Sequence, residues 1–129
     1  MIDHVGLSLS HRHDMSSLVR NRIEPAPACD VINLSEAEKD LYTGSGWKLA
    51  RFEHGVLKGF FDPARVPMRD SAEDALSEVL EAATAWIGNA DGEVWLVMCS
   101  SYQLCDPIPV GLTDARGLAR MARVFAEGI

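Results

Sequence analysis

The sequence predicts an α+β domain: a mostly antiparallel sheet with helices packed on one side. Three observations carry that expectation. Residues 72–87 place Ala72, Ala75, Leu76, Val79, Leu80, Ala83, Trp86 and Ile87 at i, i+3, i+4, i+7 spacing, the period of an amphipathic helix. WKLARFE and VLKGFF, two half-apolar runs joined by His54-Gly55, read as a β-hairpin. EVWLVMC, at 93–99, is a short and nearly unbroken apolar run, as expected of a strand buried on both faces.

Taken in order, residues 2–9 alternate loosely through Ile2, Val5, Leu7 and Leu9 and predict a first strand. Residues 15–23 predict a short helix, which Pro25 and Pro27 end in an extended linker. Ser35-Glu36-Ala37-Glu38 is a capping box opening a helix over 36–42, stopped by Gly44 and Gly46. In the hairpin, Trp47, Leu49 and Arg51 share one face, and Lys48, Ala50 and Phe52 the other. Asp62-Pro63 ends it. The long helix starts from Ser71 as N-cap and stops at Gly88-Asn89. Residues 100–111 read as loop or edge, because Pro107 and Pro109 each lack a ladder donor. Thr113 caps a last helix over 114–127, with Leu118, Met121, Ala122 and Phe125 inward. The order fits a βαββαβ plan with an added C-terminal helix. Leu76, Val79, Leu80, Ala83, Trp95, Val97, Leu118, Met121 and Phe125 are expected in one shared core.

At 129 residues, 47% of them hydrophobic, the chain has the size of one domain, 1–129. No apolar run approaches the roughly 20 residues of a membrane span. The opening ten residues carry Asp3 and His4 and no basic region, unlike a signal peptide. Three cysteines without a Cys-x-x-Cys fit free thiols in a reducing cytoplasm.

The formal charge is −7, and all of the deficit lies in one stretch. Residues 70–115 hold nine acids and no Lys or Arg, whereas residues 1–69 balance at nine and nine. Such a field opposes nucleic acid, whose binding needs cations that displace counterions, and it opposes an anionic membrane surface. It favours a basic protein partner. At 100° per residue, Asp74, Glu78 and Glu81 fall on the outer side of the long helix, with Glu73 and Asp91 adding charge nearby. Arg116, Arg120 and Arg123 form a matching stripe on the last helix. The two stripes allow ordinary solvated faces, pairing within the molecule, or a two-fold homodimer in which each acidic stripe meets the other subunit's arginines.

Chemistry-bearing constellations are sparse. His11-x-His13 puts two imidazoles on one side of an extended chain, and His4, Asp14, Cys29 and His54 are further donors, but none has a recognised metal-site spacing. Cys99, Ser100 and Ser101 follow a strand without a Gly-x-Ser-x-Gly elbow. Gly44-Ser45-Gly46 precedes a strand, not the helix N-terminus that a phosphate loop needs.

Ile2-Asp3-His4-Val5-Gly6-Leu7 resembles the first strand of the vicinal oxygen chelate (glyoxalase-like) family, and Phe61-Asp62-Pro63 resembles its Asp-Pro turn. The resemblance implies paired βαβββ modules and a metal on His4. The second half shows no matching strand with a ligand histidine, since all four histidines precede residue 55.

The leading expectation is therefore a non-enzymatic protein-binding domain without catalytic residues or cofactor. It would act as an inhibitor, an immunity-type protein or a chaperone for a basic partner, through Glu73, Asp74, Glu78, Glu81 and Asp91. The alternative is a small metal-dependent enzyme using His4, His11 and His13.

Overall fold

Two tight turns set the frame of the sheet. His54 and Gly55 both take positive φ, 52° and 79°, which is the turn whose twist matches that of paired strands. They join β3, Gly46–Glu53, to β4, Val56–Phe61, with Glu53 opposite Val56. Ser101 and Tyr102 repeat the geometry without glycine, at φ 51° and 62°. They join β5, Glu93–Ser100, to β6, Gln103–Val110, with Ser100 opposite Gln103.

The computed structural model describes residues 18–27, 29–67 and 74–128. Two short strands complete the sheet: β1, Ile23–Pro25, and β2, Asp30–Asn33. All neighbours are antiparallel, in the order β1-β2-β6-β5-β3-β4. Helix α1 is Glu36–Lys39, α2 is Ala75–Asn89 and α3 is Ala115–Glu127. The α+β class holds, and α2 and α3 pack on the same face.

The segment expected as loop or edge is an inner strand. Strand β6 pairs with β5 on one side and with β2 on the other. Its prolines are tolerated because β2 reaches only Gln103, Leu104 and Cys105, leaving that side of 106–110 unpaired among the described residues. Pro107 and Pro109 are two residues apart, so both ring nitrogens can face the open side. A bulge lies just before them, where the register with β5 slips between Leu96 and Met98 and Asp106 takes φ 51°.

The expected single core is two cores, one on each face of the sheet. Leu49, Val94, Leu96 and Val110 face Val79, Ala83 and Ile87 of α2 and Met121, Val124 and Phe125 of α3, with Leu76, Leu80 and Leu118 packed around them. Trp95, Val97 and Cys99 point the other way, joining Ala50, Phe52, Leu57 and Leu104 under Val19, Ile32 and Leu34. Alternation along a strand requires this split. It explains the unbroken apolar run of β5, whose residues 94–97 are all buried. The hairpin faces are as expected, Leu49 on one side and Ala50 and Phe52 on the other.

Caps and boundaries differ in detail. Helix α1 has the expected capping box: Ser35 Oγ accepts from Glu38 N, and Glu38 Oε1 accepts from Ser35 N at 2.9 Å. Asp114, not Thr113, caps α3, its carboxylate accepting from Gly117 N at 3.0 Å. Helix α2 runs through Gly88 to Asn89. Residues 18–20 are helical, but the helix expected over 15–23 ends there: 21–22 turn, and Ile23–Pro25, read as helix end and linker, form β1. The strand at 2–9, the Ser71 cap and the helical start at Ala72 lie outside the described residues. The described sheet is continuous and is not divided into paired βαβββ modules, the fold that the glyoxalase-like resemblance implies.

A buried carboxylate ties the second face together. Glu38 is 4% exposed. It takes Arg22 through both oxygens, at 2.8 and 2.9 Å, and Leu57 N at 2.7 Å. Arg22 also donates to the carbonyls of Gly55 and Asn33 and lies over the Phe52 ring. Burial by itself would raise the Glu38 pKa. The Arg22 pair and the two backbone N–H donors outweigh it and hold the carboxyl at about 2.

Candidate functional site

The amphipathic period of α2 decides what it shows to solvent. Ala75, Val79, Ala83 and Ile87 are buried, which turns the opposite side outward. Asp74, at the N-cap position, and Glu81 are exposed, while Glu78 is half-buried. Negative charge in the first turn also complements the helix dipole. Glu73 lies outside the described residues.

Glu78 and Glu81 border a groove of about 360 Å³ between α2 and the chain at Val66-Pro67. Val66, Pro67, Ala82 and Ala85 make the rest of its lining, which is mainly apolar. The arrangement comes from local sequence. Asp62 caps the 3-10 turn Pro63–Arg65, accepting from Ala64 N at 3.0 Å, and the chain leaves that turn extended at Val66. Val66 packs against the core beneath α2, and alanines at 82 and 85 leave room beside it. An apolar trough with carboxylates on its rim suits a Lys or Arg side chain, whose aliphatic stem can lie on the floor while the cation meets the acids.

Asp91 does not join this pair. It is exposed beyond the far end of α2, and the helix rises about 12 Å between Glu81 and Asn89. There Arg51 donates to the Asp91 carbonyl and pairs with Glu53. That end of α2 is therefore charge-compensated by Arg51. Arg116, Arg120 and Arg123 are exposed along α3 and make no ion pair among the described residues, so of the three arrangements the stripes allow, pairing within the molecule is not seen there.

A second concavity, about 310 Å³, lies where β3 begins and β4 ends, walled by Trp47, Pro63, Val124 and Phe125. Lys48, 3% exposed, reaches Asp62 at 3.4 Å and the Ser45 carbonyl at 3.3 Å. Asp62 also accepts from Thr43 and meets Arg65. These charges satisfy one another and lock the strand ends together. A lysine on the apolar-facing phase of β3 was the signal for this pair, and the reading of Asp62-Pro63 as a strand stop passed over it.

Cys99 is fully buried, and burial pushes its thiol up to about 12, although Lys48 pulls the other way. That is the behaviour of a core residue and not of a nucleophile. His54 is exposed in its turn. Among the described residues, no group of three His, Cys, Asp or Glu is placed to hold a metal; His4, His11, His13 and Asp14 lie outside them. No described helix is long and apolar enough to cross a membrane. No known protein family, curated protein or solved structure matches the chain.

Proposed function

We propose that this domain is a protein-binding module for a basic partner and that the outer face of α2 is its recognition surface. A Lys or Arg side chain of the partner enters the groove, its stem against Ala82, Ala85, Val66 and Pro67 and its cation between Glu78 and Glu81. Asp74 extends the acidic field beyond the groove, Asp91 supplies its distant edge, and Glu73 is the sequence neighbour that adds to the charge. An inhibitor, an immunity-type protein or a chaperone that escorts a basic protein in the cytoplasm would work this way.

The observation that carries the reading is the mainly apolar trough rimmed by Glu78 and Glu81, on a helix within the 70–115 stretch that holds nine acids. The field would act mainly on association rate and partner choice. Nucleic acid and anionic membranes carry the wrong charge for this surface.

Binding of a labelled Arg-rich peptide tests it. Glu78→Lys with Glu81→Lys should slow association by about tenfold at low salt, and the loss should shrink as salt screens over about 10 Å at 0.1 M. Asp30→Lys with Glu127→Lys changes net charge equally at exposed sites away from the groove and should have a much smaller effect. Equal losses in the two pairs would show that only net charge matters and would overturn the assignment.

A further inference from the structure

The three cysteines occupy two different environments. Cys99 is sealed in the second core, whereas Cys29 and Cys105 are each half-exposed. Strand register brings the latter two together. Val31 of β2 lies opposite Cys105 of β6, so residue 29, two positions earlier, falls on the same side as Cys105, one diagonal step away. Cys29 closes the β1–β2 turn, its carbonyl accepting from Ala26 N at 3.0 Å. Across from it, pairing stops at Cys105 because Asp106 and Pro107 bulge away. The register places the two side chains on the same side of this gap, near enough for the Cys29 thiol to act on that of Cys105.

We propose that Cys29 and Cys105 form a reversible disulfide when the protein meets a peroxide, clamping the β1–β2 hairpin onto β6. Among the described residues the hairpin is the lightly paired end of the sheet, since β1 pairs there only with β2, and β2 reaches only three residues of β6. A cross-link there ties a sheet edge to an inner strand and closes a long loop of chain.

The chemistry balances with hydrogen peroxide as the oxidant. Burial, with the neighbouring Cys29 thiol and Asp106 adding to it, holds the Cys105 thiol up at about 11, which slows attack by that sulfur. The Cys29 thiolate sulfur attacks one peroxide oxygen and the O–O bond breaks. Sulfur becomes a sulfenic acid, and the other oxygen leaves as water with the proton the thiol gave up. The Cys105 sulfur then attacks the sulfenic sulfur. The S–O bond breaks, the S–S bond forms, and the second oxygen leaves as water with the Cys105 proton. Two thiols lose two electrons and two protons, and one peroxide becomes two waters. A low-molecular-weight thiol reverses the bond by exchange.

The test treats the full chain with one equivalent of hydrogen peroxide, blocks remaining thiols under denaturing conditions and measures intact and peptide masses. The expected product is a monomer lighter by two hydrogen atoms, with the bond mapped to Cys29 and Cys105 and Cys99 recovered as a blocked thiol. Dithiothreitol should restore the starting mass. The oxidised form should melt at least about 5 °C higher and show slower amide exchange across 31–33. Cys29→Ser and Cys105→Ser, each folded by circular dichroism, should both lose the mass change and the thermal shift. Separate sulfinic acids on the two residues, a bond between chains, or a bond that uses Cys99 would each overturn the proposal. So would two free thiols after equilibration with oxidised glutathione.

Discussion

Replacing Glu38 by Gln keeps the shape of a buried side chain and removes its charge. In the wild type that carboxylate receives Arg22 twice and the backbone N–H groups of Ser35 and Leu57. Its pKa falls from the ordinary 4.5 to about 2, a difference that corresponds to about 3 kcal/mol of stability at neutral pH. The sign follows from a depressed folded-state pKa. The contribution is complete above the unfolded value near 4.5 and is lost as pH falls from about 5 toward 2. The Gln variant can still accept through one oxygen, but it leaves Arg22 half-paired at a partly buried site, so a loss of about 2–3 kcal/mol at pH 7 is expected. Urea unfolding at pH 7 and at pH 3, with matched ionic strength, measures both effects. The gap between wild type and variant should narrow by most of its size at pH 3. An unchanged gap at the two pH values, or a loss under about 0.5 kcal/mol at pH 7, would refute the assignment of Glu38 as the charged hub of the second face.

Further outcomes follow from individual contacts. Gly92, at φ 94° in the turn from α2 to β5, has no room for a Cβ, which would overlap the Phe52 carbonyl oxygen. Gly92→Ala should therefore cost about 2–4 kcal/mol in denaturant unfolding, and a neutral result would mean that the turn is built differently. Phe125 is 2% exposed between α3 and the sheet, so Phe125→Ala should cost about 3–5 kcal/mol. Leu80 is only half-buried, so Leu80→Ala should cost about 1–2 kcal/mol; the reverse ranking in the same unfolding assay would place the wrong face of α2 inward.

Much of the fold was legible because its signals are local. His54-Gly55 names its own turn, Ser35 and Glu38 name a capping box, and the spacing of Val79, Ala83 and Ile87 sets the phase of α2. What stayed hidden depends on distant partners. Strand β6 carries two prolines, and its turn uses Ser101 and Tyr102 in the left-handed region, so neither glycine nor Asn-Gly announces a hairpin. Its prolines fit only because β2 is short, which no local pattern shows. The division into two cores follows from alternation along β5, yet a run apolar at every position hides which residue faces which helix. For the candidate site, the outward phase of Glu81 was readable, and so was the charge imbalance. The groove was not, because its other wall is Val66-Pro67, brought beside α2 by the Asp62-capped turn. Likewise, Cys29 and Cys105 are far apart in sequence and meet only through the β2–β6 register.

The central claim, recognition of a basic segment at the α2 groove, is tested most directly by residue-resolved NMR titration of the labelled domain with the Arg-rich peptide. The account predicts saturable shifts concentrated at Val66, Glu78, Glu81, Ala82 and Ala85, weaker at Asp91, and lost in the Glu78→Lys, Glu81→Lys variant. Shifts spread evenly over exposed acids such as Asp30, Glu36 and Glu127, or centred on the cavity beside Lys48 and Phe125, would contradict it.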